Sequence, residues 1–333
     1  MSETLEPICR REFDAAALVA EFPPRFSHPN KKVVYGISCP PDAVHSGRVT
    51  FSRWAAVTPP AEVPRNATTI EPREDYFGYE PVPAGLGRVE WYLNFSHYDL
   101  FCAYSGGLFA QDEMQVTEHP ALGSLREALL QSGVEPLTVK DRIPTPVLVT
   151  GVERRCRVAI NPDAALGRPA GLYGNNFARA KPDVIARATE ALVPPTITNV
   201  LAMEAPTGGS GRYTRSAIEY VLRTAHTGFL AARIESGRLS ASPEVVVHTG
   251  YWGCGAYGGH RTLMALLQIL AARTAQLDRL VFHTGDAAGS ATLRNALVVA
   301  ERDLGLGEAP TPLAAVIDKL DAMAFHWGVG DGN

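Results

Sequence analysis

Two short stretches of this chain carry residue types that could do chemistry. The first is His248-Thr-Gly-Tyr-Trp-Gly-Cys-Gly-Ala-Tyr-Gly-Gly259, which follows the apolar, β-branched run Val245–Val247 and precedes a helical pattern starting near His260. A glycine-rich turn between a strand and a helix exposes backbone N–H groups, and the helix start adds partial positive charge. That combination suits a phosphate or pyrophosphate. The plain alternative is a tight turn with no ligand. The second stretch is Gly106-Gly-Leu-Phe-Ala-Gln-Asp-Glu113, where two neighbouring carboxylates, Asp112 and Glu113, follow a glycine-containing loop. The residues after them, Met114–Thr117, read as strand-like. Neighbours on a regular strand face opposite ways, so the two acids could not both flank one bond as a glycosidase pair does. Either the loop is irregular, or one acid holds substrate while the other moves the proton. A solvated acidic pair at a loop end is the bland reading.

Gly253, Gly255 and Gly258 also spell G-x-G-x-x-G, and Gly285-Asp286 ends the next expected strand where a ribose-binding acid would stand in a dinucleotide fold. Bulky Trp252, Cys254 and Tyr257 within the turn, and its place in the last third of the chain, argue against that rival. No His-Glu-x-x-His motif and no carboxylate cluster with ligand spacing exists, so no metal is expected. His248, His260 and His283 read as turn and capping residues.

Positioning these segments requires a regular scaffold. Strands are expected at Lys32–Ser38, Arg48–Val57, Val89–Phe95, Val147–Val149, Thr196–Met203, Val245–Val247 and Leu280–Phe282. Helices are expected at Leu122–Gln131, Ala180–Leu192, Thr214–Glu235, Arg261–Thr274, Ser290–Asp303 and Pro312–Met323. Alternation of this kind predicts an α/β fold with helices on both faces of a mixed sheet. Residues 1–87 are proline-rich and read as an accessory segment packed on a core formed by 88–333; Trp54, Tyr76, Phe77 and Tyr79 within it call for burial.

The 333 residues carry a formal charge of −4, with 46% hydrophobic and 20% charged residues. This balance excludes a disordered acidic chain, a collagen-like chain and a strongly basic nucleic-acid binder. The five cysteines, Cys9, Cys39, Cys102, Cys156 and Cys254, are scattered and make neither a disulfide framework nor a Cys-x-x-Cys zinc site. No apolar run reaches the ~18 residues of a membrane helix, and the N-terminus has no signal-peptide core. A cytoplasmic setting with no membrane and no nucleic-acid partner is expected, secretion without a cleaved signal being the other route open.

Taken together, the two segments resemble the catalytic domain of the poly(ADP-ribose) glycohydrolase family, a branch of the macrodomain fold. The family's Gly-x-Trp-Gly-Cys-Gly-Ala-Phe-Gly-Gly reads here Gly250-Tyr-Trp-Gly-Cys-Gly-Ala-Tyr-Gly-Gly259, with tyrosine at 257 for phenylalanine. Its Gln-Glu-Glu signature reads Gln111-Asp112-Glu113. Its Asp-Phe-Ala-Asn and triple glycine read Asn94-Phe-Ser-His97 and Phe101-Cys102-Ala103.

The resemblance implies a macrodomain-like mixed sheet and hydrolysis of ADP-ribose from modified proteins. ADP-ribose would be the ligand and ADP-ribosylated proteins the substrates, with no cofactor. The altered acid loop suits single ADP-ribose units on arginine. Cleavage of poly(ADP-ribose) chains and a non-catalytic ADP-ribose reader are the alternatives. The resemblance makes Glu113 the acid–base and Asp112 the ribose-hydroxyl acceptor. It places Gln111, Gly106, Gly107, His97 and Asp99 along the substrate, and Gly250, Trp252, Gly253, Cys254, Gly255, Ala256 and Tyr257 on the diphosphate and ribose. Tyr173 and Phe177 are the candidate adenine platform.

Overall fold

The computed structural model describes residues 5–65, 68–83, 85–306 and 309–330. Its main sheet has eight strands: β1 (Cys9–Asp14), β2 (Arg48–Arg53), β3 (Thr69–Arg73), β4 (Arg88–Phe95), β5 (Val147–Val158), β6 (Thr189–Met203), β7 (Glu244–Thr249) and β8 (Arg279–His283). Their spatial order is β1-β2-β5-β6-β4-β7-β8-β3. From β6 through β4, β7 and β8 to β3 all neighbours are parallel, and the β1-β2-β5-β6 side is antiparallel.

Among the described residues ten α-helices accompany the sheet: α1 (Ala15–Glu21), α2 (Pro29–Ser38), α3 (Gln111–Glu118), α4 (Ala121–Gln131), α5 (Asn175–Arg179), α6 (Pro182–Ala188), α7 (Arg215–Leu239), α8 (Arg261–Thr274), α9 (Ala287–Val298) and α10 (Leu313–Ala322). Side chains alternate across β4. Trp91 and Leu93 join Leu201, Val247, Phe229, Leu266 and Leu270 in the largest core cluster, under α7 and α8. On the opposite face Val200 and Ala202 pack with Val116, Leu122 and Leu125 of α3 and α4. The sheet is therefore covered by helices on both faces, the expected mixed α/β macro domain architecture. No described helix is long and apolar enough to cross a membrane.

Four local expectations are corrected. Lys32–Ser38 lies within helix α2: His28 caps it by accepting from the Asn30 N–H, Pro29 starts it, and the buried Asn30, Lys31, Val34 and Ser38 follow helical spacing. The Val33-Val34-Tyr35 run looked β-like only because burial was invisible. Met114–Thr117 is helix α3, not strand. The helix expected over Ala180–Leu192 stops at Ala188, and the chain reverses into β6, which pairs with β5 from Thr189 onward. Tyr76 is 66% exposed, whereas Trp54 is fully buried. Before residue 88 the chain supplies β1, β2 and β3 to the main sheet. All five cysteines are free thiols.

Candidate active site

The N-terminus of α3 docks on the end of β4, which lies between β6 and β7 in the parallel part of the sheet. Helix α3 changes the geometry expected of its acids. On a helix consecutive residues are about 100° apart, so Asp112 and Glu113 both turn inward, 7% and 5% exposed. Gln111 docks the helix on the sheet. Its amide oxygen accepts from the Phe95 N–H (2.8 Å) and its amide nitrogen donates to the Leu93 carbonyl (2.9 Å), both on β4. Gln111 therefore acts on the β4 backbone, and the side chain has both polar ends engaged. The Asn94 amide, projecting from the same strand, donates to Asp112 Oδ1 at 3.0 Å.

Burial, then the neighbouring Glu113, pushes the Asp112 carboxyl up to about 7, against the Asn94 hydrogen bond and the charges of Lys31 and Arg126. Lys31, from α2, is fully buried and donates to the Tyr104 carbonyl at 2.9 Å. Burial brings its ammonium down to about 8, with Glu113 and Asp112 opposing that fall. Glu113 Oε2 is buried without a hydrogen-bond partner. An orphaned carboxylate oxygen in a cleft is a place for a ligand donor or a proton.

The loop before α3 holds the other candidates. His97 Nδ1 accepts from the Asp99 N–H (3.2 Å) and faces Cys102 Sγ (3.3 Å). Burial, then Asp99 and Asp112, lifts the Cys102 thiol to about 11, so it meets His97 as a protonated thiol and not as a nucleophile. Asp99 is committed to Arg126 through a two-pronged ion pair of 2.6 and 3.1 Å. Phe101 is buried with φ +59°, a left-handed backbone held here by a bulky residue at a position where the resembled family has glycine. Gly106 and Gly107 lie in this loop too. A Cβ on Gly107 would come within 2.9 Å of Ala178.

The glycine-rich turn follows β7. Trp252 is buried, and its indole N–H donates to the Met203 carbonyl at the end of β6 (3.0 Å), so its side chain anchors the turn to the sheet. Gly253 has φ +77°, and a Cβ there would sit 2.5 Å from that of Ala205. Gly258 has φ +64° and touches the C-terminal segment, whose Gly328 N–H donates to the Gly258 carbonyl at 2.7 Å. Tyr251, Cys254 and Tyr257 pack at the rim of the largest core cluster, and Ala256 is exposed. Gly250 lies against the His283 carbonyl, 2.9 Å from where a Cβ would be.

Tyr257 connects this turn to the acids. Burial raises its hydroxyl, followed by the neighbouring Glu204 and Asp112. Its Oη donates to Glu204 Oε1 at 3.4 Å. Glu204, one residue past β6, is 6% exposed, and burial pushes its carboxyl up to about 7. Sequence reasoning missed Glu204. The signal was a single acid ending the apolar run Val200-Leu-Ala-Met203.

The adenine candidates lie on the segment behind the acid half, the Phe177 ring 6.0 Å from the Lys31 ammonium. Phe177 is fully buried, stacked on Phe109 at 4.0 Å, in a third core cluster with Val34 and Cys156. Its ring is used by that core. Tyr173, on the same segment, is 41% exposed.

Of the three histidines expected at turns and caps, His260 does cap α8, accepting from the Leu263 N–H. His248 and His283 instead form a buried pair 3.0 Å apart. His248 also meets Glu90 (3.2 Å), and His283 meets Asp75 (2.6 Å). Strand alternation puts Glu90 and His248 on one sheet face, which their sequence separation hides.

Residues 170–291 match the family model described as poly(ADP-ribose) glycohydrolase (PARG), macro domain fold. That stretch belongs to the family. It contains Glu204 and the whole glycine-rich turn, and the macro domain acids of α3 lie N-terminal to it. Among solved structures, the macro domain chain is similar to a poly(ADP-ribose) glycohydrolase from Thermomonospora curvata bound to the inhibitor ADP-HPD. Identity is 16% over 86% of this chain and 84% of that one, with a TM-score of 0.46. It is also similar to a poly(ADP-ribose) glycohydrolase from Deinococcus radiodurans in complex with ADP-ribose, at 14% identity over 89% and 95%, TM-score 0.44.

Proposed function

We propose that this chain is an ADP-ribosyl glycohydrolase, with 88–333 as its catalytic unit, acting on single ADP-ribose units carried by arginine side chains of proteins. The observation that carries the reading is the buried pair Asp112 and Glu113 at the start of α3, one of whose oxygens has no partner, with Tyr257 of the glycine-rich turn near enough for Asp112 to act on its hydroxyl.

The turn from Gly253 to Gly259 would hold the diphosphate by backbone N–H groups. Tyr257 would pack on the ribose whose bond is cut. Asp112, its Oδ1 already fixed by Asn94, would take a ribose hydroxyl with Oδ2. Glu113 would accept a proton from water as the water oxygen bonds to the anomeric carbon. The carbon–nitrogen bond breaks with its electron pair going to the guanidine, which leaves neutral and then takes the proton from Glu113. The ribose passes through an oxocarbenium-like state between the two. A guanidine leaves with less protonation help than a sugar hydroxyl, so the first step asks Glu113 for the work of a base alone.

Phe101-Cys102-Ala103, in the place of three glycines, supports a ribose end different from that of a polymer hydrolase. Retention of both acids supports catalysis over mere binding, since a reader needs no acid at the bond. Glu113→Gln is expected to lower ADP-ribose release from arginine-linked protein by ~10²–10⁴-fold, with ADP-ribose affinity retained. Full activity of that variant in a release assay would sink the assignment.

A further inference from the structure

The six buried acids among the described residues fall into two groups. Glu118, Glu153 and Glu235 each hold an arginine, Arg154 at 2.8 Å, Arg155 at 2.6 Å and Arg10 at 2.7 Å. Asp112, Glu113 and Glu204 are as deeply buried, yet among the described residues none makes an ion pair within 4.0 Å. For Asp112 and Glu113 the charge of Lys31 stands in from below. For Glu204 the groups acting on the carboxyl are the Tyr98 backbone and the Tyr257 hydroxyl, neither of them a cation. A buried carboxylate without a cation is costly and either holds a proton or gains by meeting a cation from outside.

Its placement says which. Glu204 follows the end of β6 two residues after Ala202, which pairs with Asn94, the partner of Asp112. Tyr257 links Glu204 to the acid half: its hydroxyl donates to Glu204 at 3.4 Å, and Asp112 is near enough to act on the same hydroxyl. The remaining carboxylate of the nearby loop, Asp99, is already neutralised by Arg126. We propose that Glu204, steadied by the Tyr257 hydroxyl, is the binding group for the guanidinium of the modified arginine.

A guanidinium is planar, permanently charged and shaped for a carboxylate, and it completes at the cleft the acid–arginine pairing that the protein uses in its interior. Family-type phenylalanine at 257 would leave Glu204 without its hydroxyl donor. This assignment rests on the hydrolase reading for the direction in which the leaving group points.

The test is calorimetric binding of ADP-ribosyl-arginine and of ADP-ribose to the full chain, made in the Glu113→Gln background so that neither is turned over. The arginine adduct is expected to bind ~10–100-fold more tightly, the size of one charge-assisted contact. Adding Glu204→Gln should abolish that advantage while ADP-ribose affinity stays within about threefold. Adding Tyr257→Phe should reduce it, and Glu204→Asp should restore part of it. Survival of the advantage in Glu204→Gln, its absence when Glu204 is present, or loss of ADP-ribose affinity with Glu204→Gln would each overturn the proposal. Wild-type protein that shows the binding pattern but releases no ADP-ribose would overturn the hydrolase reading alone.

Discussion

The two halves of the candidate site are built on opposite principles. The glycine-rich turn holds its shape by leaving side chains out. Gly253 lies against Ala205 and Gly258 against Gly328, and one large residue, Trp252, pins the turn to β6. The acid half holds its shape by putting polar side chains in. Gln111 clasps the β4 backbone, Asn94 fixes Asp112, and Lys31 is buried beneath. A turn built by omission tolerates no added atom. A helix built by polar contacts tolerates added volume better than lost hydrogen bonds.

The sharpest way to break that contrast is Gly253→Val. A β-branched residue at φ +77°, with its Cβ 2.5 Å from that of Ala205, must displace the turn. ADP-ribose binding should fall below detection in calorimetry, and stability should drop by more than ~3 kcal/mol in urea denaturation. Near-normal binding would mean that the turn is not the ligand's seat.

The same contrast explains what could be read in advance. The turn was legible because its chemistry is local: seven of the residues from Gly250 to Gly259 are glycine, tryptophan or cysteine, and their order alone implies the backbone. The acid half was not. Met114–Thr117 looked like strand because Val116 and Thr117 are β-branched, and only docking through Gln111 shows why helix wins. Lys31 was invisible for a similar reason: a lysine between Asn30 and Lys32 reads as surface until α2 is seen packed behind α3. Glu204 needed three facts at once, namely the end of β6, its burial and Tyr257, and no window of sequence contains them together.

Gln111→Leu tests the acid half directly. The side chain keeps its bulk, while the Phe95 N–H and Leu93 carbonyl lose their partners. Two partly buried backbone groups left unpaired should cost about 2–4 kcal/mol. Activity should fall further than ADP-ribose affinity does, because the acids move while the turn stays. Equal loss of both would mean that Gln111 touches ligand itself.

The smallest effect separates function from stability within the acid half. Asp112 titrates near 7 in the folded chain, above its ordinary value of 3.8. Its native form therefore holds a proton more tightly than its unfolded form. The stability this gives is full below about 3.8 and is lost as pH rises through about 7. Asp112→Asn removes that loss. The variant should gain little on the wild type at pH 4 and most at pH 8, a rise in Tm of roughly 2–4 °C per kcal/mol recovered. The gain is limited from below, because Asp112 is one of the two charges supporting the buried Lys31 ammonium. Asp112→Asn should nonetheless lose hydrolysis, so that one substitution makes the protein firmer and idle. A variant less stable than wild type at pH 8 would mean that the Asn94–Asp112 contact holds α3 in place, and that the acid half is structural before it is chemical.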